Sequence, residues 1–282
     1  MSSNVSPSER QLAHKLRLSR RQFIALGGAG AIVGVPYSAY SNSLEVVRTS
    51  DPGKPAGAAP VRIAQLTDLH APHNWIHDEQ VIDEVRRFDP HLVFITGDAV
   101  DRRGNEHLVD FYGRLPARTR RYAILGNWEY QGSCDFGALR RRYEHAGVRL
   151  LINEREAIEV EGRPFDVLGL DDWRRGRPLF QLLEGTPRDG ERTLLLEHCP
   201  ISLEHLLPYP DRRISMFSGH THGGQIAPLG LALILPEGSG GYVSGWYHGD
   251  SPDHHMYVSR GLGHTLIPFR LGARPELTLI TA

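Results

Sequence analysis

Cysteine is scarce in this chain: 282 residues contain two, Cys134 and Cys199. Two thiols cannot build the disulfide framework that holds small secreted domains, and they read as free thiols. Net charge is lacking as well. Thirty-two Lys and Arg stand against 33 Asp and Glu, a balance of −1. That leaves no basic field to hold long nucleic acid or an acidic membrane. Long apolar runs are missing too. The run "IALGGAGAIVGV" (24–35) falls short of the ~20 residues that span a bilayer and is rich in Gly. No internal repeat is visible. Histidine, by contrast, is plentiful at 15 residues. It is the commonest metal ligand and the usual acid–base residue. The remainder, 40% hydrophobic and 23% charged, is ordinary globular composition for one large domain or two small ones.

Residues 1–41 read as an address. Basic residues lead into "SRRQFI" (19–24), then the weak apolar run, then Ala39-Tyr40-Ser41 with small residues at both positions of a small-x-small cleavage site. This resembles a twin-arginine export signal with Arg20 and Arg21 as the pair, although Ala25 stands where that motif usually has Lys. The competing reading is an uncleaved anchor or a tail. The expectation is export across the cytoplasmic membrane by the twin-arginine machinery, to the periplasm, cell wall or membrane surface. Residues 42–60, ending in "SDPGKPAGAAP", read as a flexible linker. The domain proper is expected over 61–282.

Within that domain, short apolar runs recur, each closed by a polar or Gly break: "VRIAQL" (61–66), "LVFI" (92–95), "YAIL" (122–125), "TLLLE" (193–197) and "ISMF" (214–217). Their length and flanks suit buried strands. Helices are expected over 78–88, behind an Asp78 cap, and over 135–146, between Asp135 and Gly147. Strands alternating with helices indicate an α/β layout. "IEVEGRPFDVL" (158–168) reads as a hairpin around Glu161-Gly162, so antiparallel pairing is expected too. The apolar, Gly-broken stretch 229–247 reads either as a substrate-facing lid or as a core strand with a turn.

The ends of the five strands carry the chemistry. In order they finish in "TDLH" (Asp68, His70), "TGDAVD" (Asp98, Asp101), "GNWE" (Asn127), "EHCP" (His198) and "SGHTHGGQ" (His220, His222). The C-terminal edge of an open α/β sheet is where ligands bind. Singly, an Asp or Asn after a strand is a turn former or a cap, and a lone His is a hydrogen-bonded core residue. Five such endings in one chain are a pattern. Oxygen and nitrogen donors without thiolate suit Mn, Fe or Zn in an open hydrolytic site. In extended chain, Asp-x-His and His-x-His each place two side chains on one side.

The order "DLH … GD … GN … H … GHTH" over about residues 61–226 resembles the calcineurin-like metallophosphoesterase superfamily. "GHTHGGQI", "YVSRGLG" (257–263), "RPEL" (274–277) and the twin-Arg start resemble its branch of exported bacterial phosphodiesterases. The resemblance implies a four-layer α-β-β-α sandwich, two mixed β-sheets flanked by helices. It also implies two divalent ions: Asp68, His70 and His222 on the first, Asn127, His198 and His220 on the second, and Asp98 bridging. The catalytic residues would be Asp98, Asn127 and His198, with a metal-bridging hydroxide as nucleophile.

One position departs from the pattern. The family's Asn is usually followed by a His that contacts the phosphoryl group and helps protonate the leaving group; here the neighbour is Trp128. Indole has one N–H donor and no useful acidity. It either faces substrate or packs beneath the loop. His73, Glu129 and His264 are candidate replacements for the acid. The expected activity is hydrolysis of phosphate mono- or diesters, the substrate small or lipid-linked, with peripheral membrane or envelope association. A nucleotidase or nuclease, and a non-catalytic envelope metal-binding protein, are the alternatives. The missing basic field speaks against long nucleic acid as a partner.

Overall fold

The computed structural model describes residues 40–70, 77–100, 107–132, 134–186, 192–266 and 269–282. Most of the expected export segment, together with His73 and Asp101, lies outside the described residues.

Two six-stranded mixed sheets stack face to face. The first comprises β1 (Glu45–Ser50), β2 (Arg62–Leu66), β3 (Leu92–Thr96), β4 (Arg120–Ile124), β5 (Arg149–Leu150) and β12 (Glu276–Thr281), in the order β1-β12-β2-β3-β4-β5. The second comprises β6 (Glu154–Val160), β7 (Arg163–Gly169), β8 (Arg192–Leu196), β9 (Ile214–Ser218), β10 (Gly245–His248) and β11 (His254–Val258), in the order β10-β11-β9-β8-β7-β6. The five strands that carry the site are parallel to their site-bearing neighbours: β2 with β3, β3 with β4, β8 with β9. The hairpin is β6–β7, with Val160 opposite Arg163 across Glu161-Gly162. Both of those turn residues take φ > 0.

Alternation along each strand builds the layers. Ile63, Phe94, Tyr122, Leu194 and Phe217 fill the space between the sheets. Their neighbours Val93 and Ile95 face outward onto α1 (Asp78–Phe88), through Val81, Ile82 and Val85, and onto Leu139 and Tyr143 of α4 (Phe136–His145). Two shorter helices, α2 (His107–Gly113) and α3 (Asn127–Gln131), lie between these in sequence. On the second sheet, Leu195 and Met216 face Leu183 and Leu203, which sit on 3₁₀ turns. Gln65 crosses the interior: its Nε2 donates to Thr96 Oγ1 within the first sheet and to the Ser218 carbonyl of the second. Both donors of this buried amide are satisfied, which offsets part of its burial cost.

Asp135 caps α4 by accepting from the Gly137 and Ala138 amides. Asp78 does not occupy the cap position; His77 does, and Asp78 opens α1 as its first residue. There, with Glu79, its charge favours the helix dipole.

The expected boundary at residue 61 is corrected. Residues 45–50 form β1, in parallel register with β12 from Glu45↔Glu276 to Ser50↔Thr281. The stretch read as a linker is fastened: Gly53 N donates to Asp51 Oδ1, and Arg192 Nη2 to the Gly53 carbonyl. Ser41, placed in the signal, is buried and accepts from Gly272 N. The physical reason is that β1 is an edge strand, mostly half-exposed. It needs no continuous apolar run, and its Arg, Thr and Ser conceal it.

Candidate metal centre

The strand ends converge. Asp68 and His70 follow β2, Asp98 follows β3, Asn127 opens α3 after β4, His198 follows β8, and His220 and His222 follow β9. All seven side chains are buried. Five of the seven, Asp68, His70, Asp98, His220 and His222, hold φ between 50° and 73°. A non-glycine residue in that left-handed region is uncommon and costs on the order of 1–3 kcal/mol. Here the strain turns each side chain off the end of its strand into a shared centre.

The glycines of the motifs make room. A Cβ on Gly126 would stand 2.4 Å from Asp98 Oδ1, and one on Gly219 would stand 2.2 Å from Asp68 Oδ2. Any larger residue at either position would fill the space the carboxylates occupy.

Two groups form. Ligand atoms of Asp68, His70 and His222 lie within 4.8 Å of one another, and so do those of Asp98, His198 and His220. In the first group His70 Nε2 is 3.0 Å from His222 Nε2, which is 3.3 Å from Asp68 Oδ1. In the second, His198 Nε2 is 3.2 Å from His220 Nδ1 and 3.3 Å from Asp98 Oδ2. Asp98 Oδ2 also reaches to 3.8 Å from His70 Nε2, so this carboxylate stands between the groups. Trp128 N donates to its other oxygen.

The outer contacts fix the rings. His198 Nδ1 meets the Thr96 carbonyl at 2.8 Å, and His220 Nε2 meets the Glu237 carbonyl at 2.8 Å. A ring N–H spent on a carbonyl leaves the opposite nitrogen as the ligand atom. His222 Nδ1 faces the Arg270 guanidinium at 3.1 Å. Thr67 Oγ1 and the His220 amide both donate to Asp68.

The charges are unequal. Burial opposes ionisation of Asp98, but the neighbouring imidazoles, His198 foremost, hold it down to about 2. Burial likewise opposes a charge on His198, and Asp98, Asp68 and Asp172 overcome it and raise its pKa well above the ordinary value. Burial, with His198 adding to it, lowers His220 to about 3. Burial lowers His222 well below the usual imidazole range, helped by His70 and Arg270. Asp68 is pushed up to about 6 by burial.

The donor set fits two cations. Asn127 Oδ1 is buried with no hydrogen-bond partner. Leaving a buried acceptor unsatisfied costs about 1–3 kcal/mol, and a cation would remove that cost. The imidazole nitrogens, 3.0 Å and 3.2 Å apart, are spaced so that one ion could take both nitrogens of a pair.

The late motifs buttress this centre. In "YVSRGLG", Leu262 N donates to the Thr67 carbonyl and Gly263 N to the Asp68 carbonyl. In "RPEL", Glu276 accepts from Tyr257 Oη and Arg260 Nε. Gln225 of "HGGQ" exchanges both amide bonds with Thr265.

Glu129, a candidate general acid, has another role. It is fully buried, and its oxygens accept from the amides of Gly126, Ala99 and Asp98. Burial and Asp98 push its pKa up, against those donors. It ties the Asp98 loop to the Asn127 loop and does not face the cavity. Arg270 went unnoticed in the sequence. Its buried guanidinium donates to the carbonyls of Gly263, His222 and Ala273. No motif marks a lone Arg for such a task.

A cavity of about 390 Å³ opens over the centre. Asp98, Asn127, Trp128, His220 and His222 form part of its lining, and Arg174, Ile226, Ile234, Pro236 and Leu266 complete much of the wall. Trp128 therefore faces the cavity; its indole meets the His70 ring edge-on, with centroids 5.3 Å apart. His264 is half-buried and is not among the lining residues. The stretch 229–247 does both tasks: Ile234 and Pro236 supply cavity wall, while Tyr242, Trp246 and Tyr247, the last two on β10, pack against the core.

Paired Asp/His groups at the meeting edge of two stacked mixed sheets define a metallophosphoesterase, and the chain belongs to the calcineurin-like phosphoesterase family, whose model matches residues 61–224. Among its relatives is the uncharacterized metallophosphoesterase YkuE of Bacillus subtilis, 28% identical over 94% of this chain and 98% of its own length. The uncharacterized metallophosphoesterase YkoQ of the same organism is 30% identical over 77% of this chain and 82% of its own. Among solved structures, the NAD nucleotidase NadN of Haemophilus influenzae aligns with a TM-score of 0.48 at 14% identity, over 72% of this chain and 51% of that one.

Proposed function

We propose that the protein is an exported phosphoric ester hydrolase working with two divalent ions, Mn, Fe or Zn. Asp68, His70 and His222 would hold one, Asn127, His198 and His220 the other, with Asp98 between them. When bound, the ions supply the Lewis acidity that activates water and offsets phosphoryl charge. The chain's own residues do the rest. Asp98 and Asp68 are the carboxylates of the set, and the neutral Asn127 and His ligands leave the loaded centre electropositive toward an anionic ester. The Thr96 and Glu237 carbonyls hold His198 and His220 in one orientation through the reaction. The Trp128 indole, on the cavity wall, can donate one N–H to a phosphoryl oxygen or stack on a flat leaving group. Ile226, Ile234 and Pro236 give part of the cavity wall an apolar lining.

The observation that carries this reading is the orphaned Asn127 Oδ1 beside two pairs of facing imidazoles. Asp98→Asn tests it. Metal analysis and turnover of an aryl phosphodiester should fall together. A variant that keeps two ions and full turnover would remove Asp98 from the bridging position. Native protein that holds two ions yet cleaves neither mono- nor diesters would favour the non-catalytic reading, which the loss of the usual His at Trp128 keeps in play. Export rests on Arg20-Arg21 ahead of the apolar run. Replacing both by Lys should trap the precursor, because the receptor reads guanidinium rather than charge; unchanged appearance outside the membrane would remove that route.

A further inference from the structure

We propose that the mouth of the cavity docks on a lipid bilayer and that the ester it receives is a lipid headgroup phosphate; the substrate half of this rests on the hydrolase reading above. Nine large apolar side chains are exposed among the described residues, and six of them, Leu229, Leu231, Leu233, Ile234, Leu266 and Phe269, fall in two short stretches of sequence, each of which sends a residue to the wall of the same cavity. Leu229 and Leu266 are each 90% exposed and Ile234 is 80%. Scattered exposed leucines need no explanation, but a contiguous group of them marks an interaction site.

The group is built and held. Residues 226–236, "IAPLGLALILP", contain no charge. Ala227 N donates to the Leu271 carbonyl and Leu271 N to the Gln225 carbonyl, while the Gln225 side chain clasps Thr265. The two stretches are thereby fixed to each other. Ile234 and Leu266 belong both to the exposed group and to the cavity wall. An apolar path therefore runs from the outside to the floor where Asn127 and His222 lie.

The chain upstream points the same way. Asn42 exchanges both side-chain hydrogen bonds with the Arg270 backbone, next to Phe269. The chain thus joins the domain beside this group, and upstream in sequence lies the apolar run 24–35. That run is too short to span a bilayer and sufficient to lie in its surface. Charge is not the attraction. Arg174, the cation of the cavity wall, is paired with Glu237.

The test uses full-length, metal-loaded protein, phosphatidylcholine vesicles, and the triple variant Leu229→Ser/Leu231→Ser/Leu233→Ser, none of which lines the cavity. The native protein should float with the vesicles. The variant should bind roughly tenfold or more weakly, the scale expected for three leucines leaving water. Its turnover of a soluble aryl phosphodiester should be unchanged. Phosphatidic acid placed in the vesicles should inhibit that turnover, and glycerol 3-phosphate at the same concentration should not. Equal flotation of both proteins would assign membrane binding to the N-terminal run and overturn the proposal. So would flotation only on phosphatidylglycerol vesicles and reversed by salt, no flotation at all, or self-association that the variant abolishes. Inhibition by glycerol 3-phosphate alone would reassign the cavity to small soluble esters. Failure of the native protein to cleave the soluble ester would sink the hydrolase reading and leave the flotation result standing by itself.

Discussion

Arg270 donates to both the carbonyl and the ring of His222, at 3.2 Å and 3.1 Å, from a fully buried position. One side chain thus sets the backbone and the imidazole of a candidate ligand. Burial lowers the Arg270 pKa to about 9, which leaves it charged at neutral pH. Arg270→Lys keeps a cation but cannot span the carbonyls of Gly263, His222 and Ala273 at once. Such outer partners are worth about 10–100-fold in metal affinity. The variant should lose one ion before the other and drop in activity by a similar factor. Metal content read against chelator concentration checks this, and a native two-ion profile would show that Arg270 only packs.

His198 makes metal uptake depend on pH. Despite burial, Asp98 at 3.3 Å and the other nearby carboxylates keep the ion-free imidazole protonated. An ion on Nε2 must displace that proton, so affinity should rise with pH by about tenfold per unit. His220, whose lowered pKa leaves it neutral with its N–H on Nε2 toward the Glu237 carbonyl, releases none. Calorimetric titration in buffers of different ionisation enthalpy measures the proton count. Uptake without release would exclude His198 Nε2 as a ligand.

Glu197 makes stability depend on pH. Burial, with Asp172 beside it, raises its carboxyl to about 8, against about 4.3 for an unfolded Glu. The native state therefore holds a proton that the unfolded state gives up. The stability is fully present below about pH 4 and declines as pH rises toward 8, by several kcal/mol at most. Glu197→Gln should match the native protein at about pH 4 and exceed it progressively up to about pH 8. Denaturant unfolding of the ion-free protein across that range is the measurement, and parallel curves would refute the assignment.

Trp128 lines the cavity and offers no transferable proton. A general acid contributes about 10²–10⁴-fold, chiefly when the departing oxygen is basic. Aryl esters should therefore be strongly preferred to alkyl esters. Trp128→His should raise alkyl turnover selectively and leave aryl turnover nearly unchanged. Rates across a leaving-group series decide the matter. A flat native dependence would mean that another group supplies the proton, and His73 is the first to test. Equally steep lines for both proteins would place position 128 away from the leaving group.

Much of this cluster is legible in the sequence. β2, β3, β4, β8 and β9 are buried on both faces, so they appear as short apolar runs, and each ends in a donor. β11 and β12 escaped notice because their buried positions include His254, His255, Glu276 and Thr278. Those polar groups find partners, as when Thr278 Oγ1 meets Ser259 Oγ, and a linear pattern cannot register a partner. The pairing of strands was hidden for a similar reason. β12 lies between β1 and β2, and no local signal records that neighbour. The chemistry of Glu129 is legible and its place is not, because the four backbone amides that occupy its carboxylate leave no trace in residue identity.

The position of β12 governs when the centre can exist. Its strand partners, β1 and β2, come from the opposite end of the described chain, and His70 and His222 are 152 residues apart. The first sheet keeps an unfilled slot between β1 and β2 until residues 276–281 are in place. The loops carrying Asp68 and His70 lean on residues 261–263, which lead toward that strand. Assembly of this sheet thus waits on β12. Deleting residues 276–281 would remove an interior strand and, with it, the support on which the candidate ligands of the first group depend.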